Sequence, residues 1–448
     1  MNRTWKRLSV ISLACSALFA QANASATGLL EAYQAALKND PLYRSAQADN
    51  RYGQQAEVLG RAGLLPQVQY SFSKSTNKGE QTAPNFLGKL AMSDLDYQSS
   101  SKGVSLRQPL FALDNYARFK QGQAQTLQSN AQFDARAKDL MVRVLAAYSD
   151  AKFGEEQVAL YTAQRDFLRE QKKVNDLMFS KGEAAKTDML ETQAKLDVAE
   201  AILLEAQDNL QNARTILAGI VGTDITALDS LKEDFSVSRL IQGDLNEWKT
   251  TAEKNSPEIS AAKLNLEIAE QEIAKSRAGH APRVDLNASY SHGKSETVTT
   301  QKQDNNIRSI GFQVVIPIYS GGSSSAVSSQ AVAQKDRARS DLDSTRIKVM
   351  TELQKQFNAV RVGAIKVEAF QRSVASAQTL VEATKQSIKG GIRINLDLLN
   401  AQQQLVTAKR DLAQARYNYL SAFLRLKVAA GVANYEDMQV VAGFFSGN

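Results

Sequence analysis

Cysteine, proline, histidine and aromatic side chains are all scarce in this chain, and each scarcity closes off a class of protein. The single cysteine, Cys15, lies in the first 20 residues. Removal of that segment leaves no thiol, so disulfides, thiolate metal sites and a cysteine nucleophile are excluded. The two histidines, His280 and His292, stand outside any ligand-spaced cluster and read as surface residues. No serine nucleophile elbow or phosphate loop is present; Gly321-Gly322 followed by Ser323 reads as a turn and a helix start. Neither catalysis nor a cofactor is expected. Seven prolines and 7% aromatics leave an apolar content made mostly of Ala, Leu and Val, the profile of long helices. Past the N-terminus no apolar run nears the ~18 residues of a spanning helix, so membrane residence would require a β-barrel. The formal charge is +7, of which Arg3, Lys6 and Arg7 belong to the leader. With no basic run interleaved with aromatics, nucleic acid is a poor partner.

What is present begins with a secretory leader. Arg3, Lys6 and Arg7 precede an apolar run over 8–20, and Ala22-Asn23-Ala24 offers a small-x-small cleavage site. Cleavage is expected after Ala24, making 1–24 the signal peptide, with cleavage after Ala26 as the alternative. A lipoprotein reading of Cys15 is disfavoured, because Ser12 stands where a leucine is usual.

The remainder is duplicated. Asn39, Pro41, Arg61-Ala62-Gly63 and Pro66 recur at a shift of 216 as Asn255, Pro257, Arg277-Ala278-Gly279 and Pro282. Later the shift falls to 208–209, which implies a longer loop in the first copy. Self-similarity of this kind means one structural unit used twice. The units are placed at 25–230 and 231–431, followed by a tail over 432–448. The stretch 222–242 and the tail carry no pattern that assigns them a role.

Each unit reads in the same order. A first helix is predicted over 28–62, with its counterpart over 245–278. Val68, Tyr70 and Phe72 then alternate with polar residues, as do Val284, Leu286, Ala288 and Tyr290. A period of two with one apolar face is a strand. Strands are expected at about 66–75 and 102–111, and at about 282–292 and 307–318. Polar loops over 76–100 and 293–306 connect them.

Long proline-free runs over 113–180 and 325–389 follow. Some 65 helical residues would reach about 100 Å, which implies a coiled coil. Its seam is legible. Leu353, Val360, Val367, Val374, Val381 and Ile388 fall every seventh residue. Leu398, Leu405, Leu412, Tyr419 and Leu426 do the same, each followed by an alanine three residues on. Met189, Leu196, Leu203, Leu210 and Leu217 repeat the pattern, with Ala199, Ala206 and Ala213. Large residues at one heptad position and Ala at the other let helices interlock. The turns between these helices lie at about 181–188 and 389–397. Gly182 and Gly391 end the incoming helices, and Asp188 and Asp397 follow, all related by a shift of 209.

The duplicated helix–strand–strand–helix–helix order, the Asn-x-Pro near each unit's start, and the turns Gly182-x5-Asp188 and Gly391-Ile392-Arg393-x3-Asp397 together resemble the TolC family of outer-membrane channel proteins. The resemblance spans about 26–431. It is strongest to the outer-membrane component of type I secretion systems that export alkaline proteases (metalloproteases). It implies a mainly α fold with a small β part. Four strands per protomer would contribute to a 12-stranded trimeric outer-membrane barrel, and the long helices would form a periplasmic tunnel. It further implies a homotrimer in outer-membrane lipid, docked to a periplasmic membrane fusion (adaptor) protein and an inner-membrane ABC transporter. Unfolded protein would pass through to the exterior. Multidrug efflux is the alternative. A soluble periplasmic coiled-coil adaptor is the second.

The resemblance also implies a gate. Thr187 and Asp188 match the family's pair after the first turn, and Arg393 matches the arginine that bonds to it. Ile388 occupies the position of a tyrosine and cannot hydrogen-bond. Asp397 matches the pore-lining ring, whose second member is Asn400 here, so the ring falls from six carboxylates to three in a trimer and strong cation binding is in doubt. From spacing alone, Asp188 reads equally as a helix cap, and Arg393 as a solvated helix-end charge.

Overall fold

The structure is a computed structural model that describes residues 28–183, 185–225, 227–232, 235, 243–295 and 303–446. The expected signal peptide and its cleavage site lie outside the described residues. In chain order the elements are α1 (Leu29–Asn39), α2 (Pro41–Gly53), α3 (Gln55–Ala62), β1 (Gln67–Pro84), β2 (Leu90–Phe111), α4 (Leu113–Ser180), α5 (Lys186–Val221) and β3 (Ser230–Leu231). There follow α6 (Leu245–Asn255), α7 (Pro257–Arg277), β4 (Arg283–Ser295), β5 (Gln303–Val315), α8 (Ser323–Lys389), α9 (Asn395–Ala429), α10 (Tyr435–Ala442) and β6 (Phe445–Ser446). The chain divides into two compact units. One takes in the described parts of Met1–Gln47, Asp134–Ser256 and Lys348–Asn448, the other Ala48–Phe133 and Pro257–Ile347.

The single helix predicted over 28–62 is three helices, and its counterpart over 245–278 is also broken. The first break and the counterpart's fall just before a proline. Asp40 has φ −59° and ψ 121°, and Ser256 has φ −62° and ψ 120°. The proline ring crowds the preceding residue out of the helical region. Pro41 and Pro257 then take the first helical position, where a missing N–H costs nothing. Asp40 secures the first of these junctions. Its Oδ1 accepts the Tyr43 N–H at 2.6 Å, and its carboxylate takes Arg143 Nη1 and Nη2 at 2.8 and 2.9 Å. Burial pushes the Asp40 carboxyl up, but hydrogen bonds from Arg143 and Tyr43 outweigh it and hold the group below its ordinary value.

The Ala48–Phe133 and Pro257–Ile347 unit carries a four-stranded antiparallel sheet in the order β1-β2-β4-β5. Val68 pairs with Leu106, Leu106 with Ala288 and Ala288 with Ile310, so one apolar row crosses all four strands. Among the described residues nothing covers this face: Tyr70 is 65% exposed, Ile310 78% and Phe312 72%. Polar pairs stand at the alternate positions, including Ser289 with Ser309 at 2.9 Å.

The loop predicted over 76–100 is instead a continuation of the hairpin. β1 runs to Pro84 and β2 starts at Leu90, in unbroken register. Asn85 Oδ1 accepts the N–H of Leu87 at 3.0 Å and of Lys89 at 3.1 Å, and Gly88 turns at φ 72°. Ser, Thr, Asn and Lys populate both faces here, so no apolar period marks the strand; the backbone ladder pairs it, with a Lys78–Asp96 ion pair at 3.4 Å across it. β5 stops at Val315 rather than 318, because Pro317 has no N–H to give. Of the second predicted loop, 293–295 and 303–306 are strand, and the rest lies outside the described residues.

In the other unit the heptad stripes are buried. Val381, Leu398, Ala401, Leu405 and Ala408 form one cluster between α8 and α9, with Val374 and Ile388 packed on it. Leu168, Leu196, Ala199 and Leu399 form a second between α4, α5 and α9. The adjacent residues Leu398 and Leu399 thus face different partners, which sets α9 between its own hairpin and the α4–α5 hairpin. The two stretches that the sequence leaves without a role meet. β3 pairs with β6, and Phe445 stands edge-on to Tyr148 with ring centroids 5.3 Å apart.

Candidate gate at the two helix turns

Both turns end their incoming helix in the same way. Gly182 has φ 76° and Gly391 φ 73°, left-handed values that glycine adopts without penalty. The Gly182 N–H donates to the Phe179 carbonyl at 3.0 Å and the Glu183 N–H to that of Met178 at 2.9 Å. In the second copy the Gly391 N–H donates to Ile388 at 2.9 Å and the Ile392 N–H to Ser387 at 2.9 Å. This paired closure satisfies carbonyls that the helix end leaves open. The outgoing helices also start alike. Ala185 and Ile394 are the N-caps, and neither has a side chain that caps. Asp188 and Asp397 therefore fall in the first turn and not at the cap, which removes the capping reading of Asp188. Their charge still favours the positive end of the helix dipole.

The predicted site residues are brought to these two turns but are not joined to one another. Thr187, Asp188 and Arg393 are exposed. Among the described residues neither Asp188 nor Arg393 has a charged partner. Asp397 is half-buried, and Asn400 is exposed. Asn400 Oδ1 accepts Lys195 Nζ at 2.8 Å, which ties α9 to α5 at that position. Ile388 packs as an apolar residue against the α8–α9 cluster. Among the described residues no group of three or more His, Cys, Asp or Glu could hold a metal ion.

A polar chain that the sequence reading missed lies beneath the turns. Asn395 Nδ2 donates to Asn175 Oδ1 at 2.8 Å. Asn175 Nδ2 donates to Thr192 Oγ1 at 2.7 Å, and Thr192 Oγ1 donates to the Asp188 carbonyl at 2.8 Å. Asn175 and Thr192 are only 3% and 1% exposed. The signal was present in the heptads. Asn175 follows the buried Leu168 by seven residues, and Thr192 precedes Ala199 by seven, so both are polar residues on a core stripe. A cleft of about 520 Å³ between α4, α5 and α9 is lined by Phe167, Leu168, Val198 and Leu399 together with Lys195 and Glu191.

Comparison with known proteins follows the same outline. The family model described as outer membrane efflux protein matches residues 32–223 and 248–432. The chain is 36% identical to the alkaline protease secretion protein AprF of Pseudomonas aeruginosa, over 99% of this chain and 92% of that one. It is 35% identical to the proteases secretion protein PrtF of Dickeya chrysanthemi, over 94% and 92% of the two chains. Among solved structures, CusC superposes with a TM-score of 0.76 at 16% identity, covering 91% of this chain and 93% of that one, which shows a shared fold.

Proposed function

The chain belongs to the outer membrane efflux protein family, and on that premise we propose that it is the outer-membrane channel of a type I secretion system, releasing an unfolded extracellular protease directly to the exterior. The observation that carries this reading is the near full-length similarity to two proteins named for protease secretion. Efflux of small toxic compounds is the second reading, and the family's own description favours it.

The sheet supports a shared barrel. Four strands cannot close, since the smallest single-chain barrels have about 8. Three copies would supply twelve, and lipid would cover the bare face around Ile310 and Phe312. The long helices would form the periplasmic tunnel. An adaptor protein and an ABC transporter would supply cargo choice and energy, with the apolar cleft between α4, α5 and α9 as one surface for the adaptor. Among the described residues Asp188 and Arg393 have no charged partner, so their ion pair would form between copies, with Thr187 beside it. Asp397 from three copies would ring the constriction and favour cations. Asn400, taken up by Lys195, would add no charge to that ring.

Co-expression with a protease transporter and its adaptor, in a host lacking its own channel, tests the assignment. Protease in the medium is expected. Restored drug resistance without secretion would favour efflux. In planar bilayers the purified protein should show a small resting conductance that Asp188→Ala or Arg393→Ser raises. If neither variant changes it, the ion-pair gate is wrong.

A further inference from the structure

We infer that Asn175, Thr192 and Asn395 form the latch that holds the α8–α9 hairpin against the α4–α5 hairpin in the shut state. The inference rests on the gated-channel reading and names the groups that do the holding. The three bonds run in series and in one sense, from the Asn395 amide through Asn175 and Thr192 to the Asp188 carbonyl. Each donor has an acceptor, and with the Thr192 hydroxyl given to the Asp188 carbonyl the Asn175 amide turns its nitrogen to Thr192 and its oxygen to Asn395. Bonds in such a chain polarise one another and strengthen in a dry seam.

The parts have different jobs. The bonds from Asn175 to Thr192 and from Thr192 to Asp188 join α4 to α5 within one hairpin, and they aim the Asn175 oxygen. Of these three bonds, the one from Asn395 to Asn175 crosses between hairpins, as the bond from Lys195 to Asn400 does nearby. Separation of the hairpins must break that bond, while the two bonds within the α4–α5 hairpin can survive. Asn395 is half-buried in the first turn of α9 and can turn to water. The oxygen of Asn175 stays buried and must be wetted or left unsatisfied, which opposes opening. Asp188 and Arg393 are exposed within one chain, and an ion pair between copies that keeps access to solvent is weakened by salt. The latch contains no charged side chain and should be indifferent to salt.

The test is single-channel recording of the purified full-length protein in planar bilayers. Thr192→Val and Asn395→Ala should each raise the open fraction about tenfold, the scale of one broken buried bond, and Thr192→Ser, which keeps the hydroxyl, should stay shut. Asn175→Ala combined with Asn395→Ala should open no further than Asn175→Ala alone. The effects should persist in about 1 M KCl, where exposed ion pairs are screened. Should Asn175 variants fail to assemble, Asn395→Ala at its partly solvated position still decides the matter. The latch is overturned if Thr192→Val and Asn395→Ala stay as shut as the parent, or if Thr192→Ser opens as much as Thr192→Val. If Asp188→Ala or Arg393→Ser opens the channel in that case, the gate reading survives without the latch. A parent protein fully open at rest would remove both.

Discussion

The two helix turns are copies of one backbone with different side chains beneath them. Each closes on a left-handed glycine, with matching bonds to the preceding turn. Beneath the first, Asn175 bonds to Thr192. At the shift of 209, their counterparts in the second hairpin are Thr384 and Ala401. Thr384 is 2% exposed and its Oγ1 has no hydrogen-bond partner among the described residues, and alanine at 401 brings no polar group to the position that Thr192 fills in the first copy. The duplicated helix pair therefore keeps a polar residue at the same depth in both copies but satisfies it in only one. Backbone geometry at a turn follows from a glycine and a few local bonds. The chemistry under it depends on which residue faces which across the seam.

Valine at the two buried threonines should separate the copies most. Thr192→Val removes the acceptor that Asn175 needs and should destabilise the first hairpin by about 1–3 kcal/mol. Thr384→Val removes a hydroxyl that is already unsatisfied and should be neutral or stabilising by up to about 1 kcal/mol. Amide hydrogen exchange in α5 and α9 reads both effects. A loss of similar size at the two sites would erase the contrast.

Alanine at the two turn glycines probes the shared half of the comparison. Gly182→Ala and Gly391→Ala should each cost about 1–2 kcal/mol, the penalty for a side chain in a left-handed position. Nothing lies within 4 Å of a Cβ built at either, so the costs should match. A twofold difference in the exchange readout would show that the turns are not equivalent.

Acid should distinguish the copies at another duplicated pair. Asp40 is bound to Arg143, whereas its counterpart Ser256 cannot ionise. Since the folded Asp40 carboxyl lies below its ordinary value, its contribution is present above the unfolded value near pH 4. That contribution is lost as pH falls further, through the folded value. Protection at the α1–α2 junction, taken relative to the intrinsic exchange rate at each pH, should therefore fall below about pH 4 while that at the α6–α7 junction holds. Asp40→Asn should quicken the first junction at neutral pH and remove its acid response.

The smallest effect is expected at the exposed charges. Asp188→Ala and Arg393→Ser should change the stability of the single-chain fold by less than about 0.5 kcal/mol, within the range of surface substitutions. A larger loss in the exchange readout would mean that the two charges are already engaged within one chain.

The long helices, the four strands and the two glycine turns were legible because each rests on a repeat among near neighbours. Val381 and Leu398 lie on stripes visible at heptad spacing, and both are buried. Two misreadings came from local signals given too little weight. Pro41 and Pro257 each announce a break at the residue before them. The hairpin over 76–100 stayed hidden for a different reason: with polar residues on both faces, only the backbone ladder says strand. The candidate site was legible by position but not by bonding. Gly182, Asp188, Gly391, Arg393 and Asp397 lie at the turns, yet the charges expected to pair do not meet within one chain. The bonded residues are Asn175, Thr192 and Asn395, and Asn400 is held by Lys195.

By itself, then, the sequence determined the periods: which runs are helix, which are strand, where the chain turns, and that the whole plan is used twice. Those are properties of residues a few positions apart, set by sterics and by the burial of one face. Only the tertiary structure decided that Asn395 bonds to a residue 220 positions away, that the inter-unit stretch and the tail share a two-stranded sheet, and that α9 turns Leu398 and Leu399 to different neighbours. Such contacts depend on the azimuth and axial offset at which long helices pack. A heptad stripe specifies that a seam exists; the residues that meet across it are chosen by the register of the packed helices.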